Sequence, residues 1–244
     1  MTGLAPHGHL ERYYKDSESR QTEVDAMFDD SARYYDAVTQ WMSFGSGSWY
    51  RRDALRRAGV TAGAAVLDTG AGTGAVSLPL QDITGPEGFV VALDPSAGML
   101  AEGRRRGVKQ QVRGVGERLP FPDDTFDFVT MGYALRHVGD LASAFVEYRR
   151  VLKPGGKVLL LEITRPQNPI GLAVLKGYMR YVVPGVAGLF SRNTTVRKVM
   201  EYYWDTIEAC VPPESVLAAL GDAGFPEPKR HRVLGIFSEY SALK

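Results

Sequence analysis

V-L-D-T-G-A-G-T-G, Val66 to Gly74, and L-D-P-S-A-G-M-L, Leu93 to Leu100, decide how this chain is read. In the first, an apolar run ends in Asp68, and glycines follow at 70, 72 and 74. In the second, the apolar run Phe89 to Leu93 ends in Asp94, 24 residues after Gly70. A chain that leaves a strand through bare backbone and starts a helix offers amide groups and a favourable dipole to an anion. An acid at the end of the next strand suits ribose hydroxyls. The pair describes a nucleotide-type site at the carboxyl ends of two neighbouring parallel strands.

The glycine loop by itself is ambiguous, because Gly70 to Ala75 also satisfies the loose dinucleotide pattern. Three features favour S-adenosylmethionine over a dinucleotide. Asp68 precedes Gly70 by two residues, where it could meet a cationic group. Gly74 completes a G-x-G-x-G run. Met99 follows Asp94 by about one helical turn, placed to pack on an adenine face. A nicotinamide dinucleotide site and a ligand-free glycine turn stay open at this point.

Around these motifs, strands and helices alternate. Ala64–Asp68, Phe89–Leu93, Gln110–Gly114, Phe126–Met131 and Lys157–Ile163 read as strands. Leu141, Phe145, Tyr148 and Leu152 mark one helix face, stopped by Lys153-Pro-Gly-Gly156. Gln21–Tyr50 reads as helical and Glu214–Ala223 as a short helix. Arg230–Leu234 and Ile236–Ala242 read as antiparallel strands. The pattern implies an α/β fold with a doubly wound, mostly parallel seven-stranded sheet of the Rossmann-like kind. The chain divides as one domain: a helical cap (1–58), a cofactor-binding core (59–163), a helical insertion or lid (164–212), and a terminal helix with two strands (213–244).

Composition narrows the function. With 29 basic and 28 acidic residues in 244 there is no electrostatic case for nucleic acid. One cysteine excludes a disulfide within the chain and suggests a reducing, cytoplasmic setting. The four histidines show no zinc-like spacing, so no metal is expected. No apolar signal core opens the sequence. Ile170–Phe190 is strongly apolar, but Lys176, Arg180 and Pro184 interrupt it, which argues against a spanning helix. It reads as a buried or lid helix, with peripheral contact to lipid as the alternative.

The loops after the first four strands should converge on one crevice. That collects Asp68, Gly70, Ala71, Gly72, Thr73, Asp94, Pro95, Met99, Val115, Gly116, Glu117 and Gly132 as cofactor-binding candidates. Arg136 and His137, just past the fourth strand, are the catalytic candidates. An imidazole can take a proton near neutrality, and the guanidinium could stabilise an anion. Aromatic clusters at Tyr34, Tyr35, Trp41, Phe44, Trp49 and Tyr50, and at Tyr178, Tyr181, Tyr202, Tyr203 and Trp204, could wall a pocket for a flat ring or simply pack as core.

The sequence resembles the ubiquinone/menaquinone biosynthesis C-methyltransferases from about Phe28 to its end. M-F-D-D-S-A-R-Y-Y-D (Met27 to Asp36), W-M-S-F-G (Trp41 to Gly45), L-P-F-P-D-D-T-F-D (Leu119 to Asp127), Y-A-L-R-H-V (Tyr133 to Val138) and Y-R-R-V-L-K-P-G-G-K-V-L-L-L-E (Tyr148 to Glu162) carry it in order. The resemblance implies S-adenosylmethionine as cofactor, S-adenosylhomocysteine as product, and Tyr35 among the cofactor contacts. The sequence departs from the family pattern at Ala71 and Val115, and in the substrate half at Thr39, Gly47, Tyr50, His137, Glu208 and Tyr240. From those changes we expect a compact aromatic, phenolic or quinol-like acceptor in specialised metabolism. Quinone C-methylation is the alternative, and a non-catalytic cofactor-binding protein is the reading from another class.

Overall fold

The computed structural model describes residues 3–16, 19–42, 46–190 and 194–244, and their side chains other than those within 35–46 and 187–195. Helices α1 (Arg20–Met42) and α2 (Ser46–Ala58) precede the sheet. The core then runs β1 (Ala65–Thr69), α3 (Ser77–Thr84), β2 (Phe89–Asp94), α4 (Ala97–Arg105), β3 (Gln110–Arg113), β4 (Phe126–Gly132), α5 (Leu141–Val151) and β5 (Leu152–Ile163). Helices α6 (Pro169–Gly177), α7 (Val183–Phe190) and α8 (Thr194–Ala209) form the insertion, with a π turn at Tyr178–Val182. Helix α9 (Pro213–Asp222) and strands β6 (Lys229–Val233) and β7 (Phe237–Leu243) follow.

The seven strands are ordered β3-β2-β1-β4-β5-β7-β6. The first five are parallel, and β7 pairs antiparallel with both β5 and β6. Strand order reverses between β1 and β4, so their carboxyl ends open the crevice where α/β sheets bind ligands. Both faces of the sheet are covered, and β1 and β2 are almost wholly buried, which explains their unbroken apolar runs.

Helix boundaries follow local chemistry. Asp140 caps α5 by accepting from the amides of Ala142 and Ser143, each at 3.2 Å. Leu141, Ala144, Phe145, Tyr148 and Val151 then face the sheet. Ser96 caps α4 through the Met99 amide at 3.0 Å. Strand β5 starts earlier than expected. Leu152 already pairs with Phe126, and Lys153–Gly156 bulges out before Lys157 meets Phe128. The Pro-Gly-Gly signal marks that bulge, with Gly155 at φ 78°.

Cap and insertion share one apolar cluster. Val24 and Met27 of α1 pack with Met179, Val183, Val199, Met200, Tyr202 and Trp204. This shared core lies apart from the sheet cores. Of the buried and lid readings of this segment, helix α6 does not fit the buried one. None of its residues is buried, and Ile170 and Val174 are 78% and 67% exposed. Among the described residues, no helix is long and apolar enough to cross a membrane.

Candidate active site

The turn from β1 into α3 is built by left-handed glycines, with Gly70 at φ 61° and Gly72 at φ 56°. At Gly70 a side chain is doubly excluded, because a Cβ would lie 2.4 Å from that of Ala134. Gly72 has open space where its Cβ would be. Its amide donates to Asp94 Oδ2 at 2.7 Å, while the Ser96 amide reaches Asp94 Oδ1 at 2.9 Å. The glycine loop and the acid of β2 are thus one unit.

A cavity of about 370 Å³ opens over this unit. Gly70, Ala71, Gly72, Thr73, Asp94, Pro95, Met99, Val115, Gly116, Glu117 and Gly132 all line it. So does His137. A cradle of bare backbone, a carboxylate and an apolar Met99 wall fits a nucleoside carrying an amino-acid chain.

Burial pushes the Asp94 carboxyl up to about 6, against the two amides that favour its charge, with Asp25 and Asp29 adding repulsion. A ligand that donates hydrogen bonds would relieve that strain. Asp29 also accepts from the Gly98 amide at 2.8 Å, so α1 is fastened to the start of α4. Asp25 and Phe28 of α1 line the cavity; Phe28 falls in the Met27 to Asp36 motif, whereas no motif singles out Asp25.

Three expected site residues stand differently. Asp68 does not line the cavity. It is sealed from solvent, accepting from Ser77 Oγ at 2.6 Å and Thr130 Oγ1 at 3.0 Å. These bonds tie β1 to β4 and to the first turn of α3, so its carboxylate braces the loop from behind rather than meeting a cationic ligand. Arg136 is also turned away, wholly buried among Glu162, the Tyr203 carbonyl and Thr206 Oγ1. Arg136 and His137 share one 3₁₀ turn, Leu135–His137. Consecutive side chains there diverge by about a third of a turn, so only His137 faces the cavity. The side chain of Tyr35 lies outside the described residues, as do those of Thr39, Trp41 and Phe44.

His137 is enclosed by aromatic rings, edge-on to Phe28 at 5.1 Å and stacked on Tyr202 at 5.4 Å. Burial holds its pKa well below the ordinary 6.5, with Arg136, His7 and Arg20 adding to the effect. The imidazole is therefore neutral, and its surroundings resist a positive charge. Of the aromatic clusters, Tyr178 and Tyr203 line the cavity. Tyr202 and Trp204 are core, while Tyr34, Trp49 and Tyr181 are exposed. Tyr50 is buried and stacks on Phe237 at 4.5 Å. Arg51 and Tyr133 also line the cavity; Tyr133 opens the Tyr133 to Val138 motif but is not among the expected site residues, and Arg51 falls in no motif.

The sheet order, glycine cradle and strand-end acid define a Rossmann-like methyltransferase that uses S-adenosylmethionine. A family model described as the ubiE/COQ5 methyltransferase family matches residues 15–244, and the chain belongs to that family. It is similar to a ubiquinone/menaquinone biosynthesis C-methyltransferase of Geobacter sulfurreducens, 33% identical over 226 residues, covering 89% of this chain and 87% of the relative. It is also similar to a demethylmenaquinone methyltransferase of Halalkalibacterium halodurans, 33% identical over 194 residues and 77% of each chain. Among solved structures it resembles an S-adenosylmethionine-dependent methyltransferase of Thermotoga maritima, with TM-score 0.64, 20% identity, and coverage of 90% of this chain and 99% of that one. A phosphoethanolamine N-methyltransferase of Haemonchus contortus bound to S-adenosylmethionine aligns with TM-score 0.62 at 16% identity, over 89% of this chain and 60% of that one.

Proposed function

We propose that this enzyme methylates a ring carbon of a quinol-type aromatic acceptor, the chemistry named for its relatives in quinone biosynthesis. The observation that carries the reading is the continuity of one cavity. It runs from the glycine loop and Asp94, past His137 and Tyr133, to Leu175, Tyr178 and Met179 of the insertion. The expectation of a compact acceptor in specialised metabolism is less well supported than this alternative.

The loop from Gly70 to Thr73 holds the amino-acid end of the cofactor, Asp94 accepts from its ribose hydroxyls, and Met99 and Val115 flank its adenine. When bound, S-adenosylmethionine supplies an electrophilic methyl on a sulfonium. His137 accepts the proton of a ring hydroxyl, and the freed electron pair makes the ortho carbon nucleophilic. After that carbon is methylated it loses its own proton, the ring oxygen takes back the proton held by His137, and the ring is aromatic again, so the net release is one proton. Holding the two reactants aligned in one cavity lowers the barrier independently of proton transfer.

The test is thermal shift followed by turnover. S-adenosylhomocysteine at a hundredfold excess over its Kd stabilises the fold by about 2.7 kcal/mol, and NAD does not. Asp94→Ala weakens S-adenosylmethionine by about 1–3 kcal/mol. A demethylated quinol then gains one carbon-bound methyl by mass spectrometry and NMR. A thermal shift with NAD and none with S-adenosylmethionine sinks the reading.

A further inference from the structure

We propose that Arg51 selects an acceptor carrying an ionised ring oxygen and binds that oxygen through its Nε–H. The inference rests on the methyl-transfer reading above and adds the charge state of the acceptor.

Arg51 projects from α2 onto the cavity wall, where its Nε is buried and has no hydrogen-bond partner. An unsatisfied buried donor is costly unless a ligand supplies the acceptor atom. The other arginines near the site are committed. Arg106 donates to the carbonyl and the hydroxyl of Thr73 at the cofactor end. Arg20 donates to the carbonyls of Arg136 and Val138, and Arg136 is locked to Glu162.

Tyr133, Tyr203, Ile236 and Phe237 line the same cavity as Arg51, and the charge of Arg51 is felt at Tyr133 and Tyr203. Tyr133 has φ 61°, rare for a bulky residue. Such local strain concentrates at ligand sites. Burial raises the Tyr133 phenol well above its ordinary range, while Arg51 acts to lower it through its charge and a hydrogen bond, which leaves Nε as the open donor. A flat acceptor between these walls brings its oxygen to a guanidinium in a medium of low polarity, where charge pairing is strong.

The chemistry needs this help. His137 is a weak base because burial keeps it neutral, and an ordinary phenol with pKa about 10 holds its proton tightly. A cation within hydrogen-bond reach lowers such a pKa by about 1–3 units. Arg51 thereby narrows the gap between the acceptor and His137. The arginine candidate at position 136 is sealed in the core, and Arg51 takes the anion-stabilising part.

The experiment uses the full chain as wild type, Arg51→Met and Arg51→Lys, each saturated with S-adenosylhomocysteine. The probes are 2-hydroxy-1,4-naphthoquinone, whose ring hydroxyl is ionised at neutral pH, and its neutral 2-methoxy ether, both followed by absorbance titration. Wild type binds the anion about tenfold or more tighter than the ether. Arg51→Met loses that preference, Arg51→Lys keeps only part of it, and S-adenosylhomocysteine affinity is unchanged in both. If Arg51→Met does not fold, Arg51→Lys decides: a reduced preference supports the proposal and an undiminished one overturns it. No preference in wild type, or full preference in Arg51→Met, also overturns it. Failure of wild type to bind S-adenosylhomocysteine would strike the methyltransferase reading instead.

Discussion

Arg136 Nε donates to Glu162 Oε1 at 3.0 Å in a space closed to solvent, with the two side chains 0% and 1% exposed. The guanidinium also holds the Tyr203 carbonyl and Thr206 Oγ1 of α8, and its ring-face contact with Tyr203 is 4.4 Å from the centroid. One residue thus joins the end of β4, the end of β5 and the insertion. The insertion is fixed to the sheet by a buried charge.

That arrangement separates a structural from a catalytic Arg136. Removing one partner of a buried pair leaves the other charge uncompensated and costs about 3–5 kcal/mol. Glu162 Oε2 already lacks a partner, so Arg136→Ala leaves a buried carboxylate with no cation beside it, though the Ile163 amide still donates to Oε1 at 2.7 Å. We expect Arg136→Ala to lose stability of that size in urea unfolding, with Arg136→Ala/Glu162→Ala recovering part of it. An inactive Arg136→Ala of undiminished stability would return the residue to a catalytic role.

Asp68 sets a pH dependence of the free protein. Burial pushes its carboxyl up to about 7, against the Ser77 and Thr130 hydroxyls that favour its charge. In the unfolded chain an aspartate ionises near pH about 3.9. Below that value both states are protonated and the contribution is fully present. As pH rises toward 7 the unfolded chain releases a proton that the folded one keeps, and stability is lost. Asp68→Asn cannot ionise. Its melting temperature should gain on wild type between pH 5 and 8, by an amount that grows with pH up to about 7, while cofactor binding persists because Asp68 lies behind the loop. A pH-independent difference would show that the buried carboxyl does not titrate as described.

The sheet and cofactor loop were legible because backbone chemistry specifies them. Apolar runs ended by Gly70 or Asp94 leave few alternatives, and the observed strands fall within a residue or two of those expected, apart from the start of β5. Side-chain direction was less legible. Arg136 and His137 are adjacent in sequence but point into different compartments, because one short turn carries both. Arg51 stands in a helix that also carries Arg52, Arg56 and Arg57. Nothing in that pattern says which guanidinium meets the cavity. The shared core of α1 with α7 and α8 joins segments over a hundred residues apart, which local periodicity cannot report.

His137 separates stability from turnover. Its pKa is depressed by burial and by Arg136, His7 and Arg20, so the folded state refuses a proton that the unfolded chain accepts below pH about 6.5. Stability from this group is present above that pH and is lost as pH falls toward the folded pKa. His7 is also lowered, chiefly by burial, and contributes to the same acid loss. His137→Gln should therefore remove only part of it. In methyl transfer the same variant should be about 10²–10⁴-fold slower, with S-adenosylhomocysteine affinity unchanged. Turnover within a factor of about two of wild type would remove His137 from the proton step.

Glu208 bears on the tail of the acceptor. A bare carboxylate beside an isoprenoid chain would be costly, an objection to a tailed acceptor. In the fold Glu208 is paired with Lys176 of α6 and accepts from Trp204 Nε1 at 3.3 Å. These partners hold its carboxyl below the usual range, against the push of burial. Its charge is met, and the objection falls. The insertion also lines the cavity with Leu175, Tyr178 and Met179, an apolar exit suited to a chain. We therefore expect a demethylated polyprenyl quinol to compete successfully with its tail-less analogue. Each added isoprene unit should lower KM until the tail leaves the protein, because each buried CH₂ contributes about 0.8 kcal/mol. The measurement is turnover with analogues of zero to three isoprene units at equal concentration, with the methylated atom located by NMR. A tail-less ring that turns over as well as every tailed one, or a tail that raises KM from the first unit, would restore the compact acceptor.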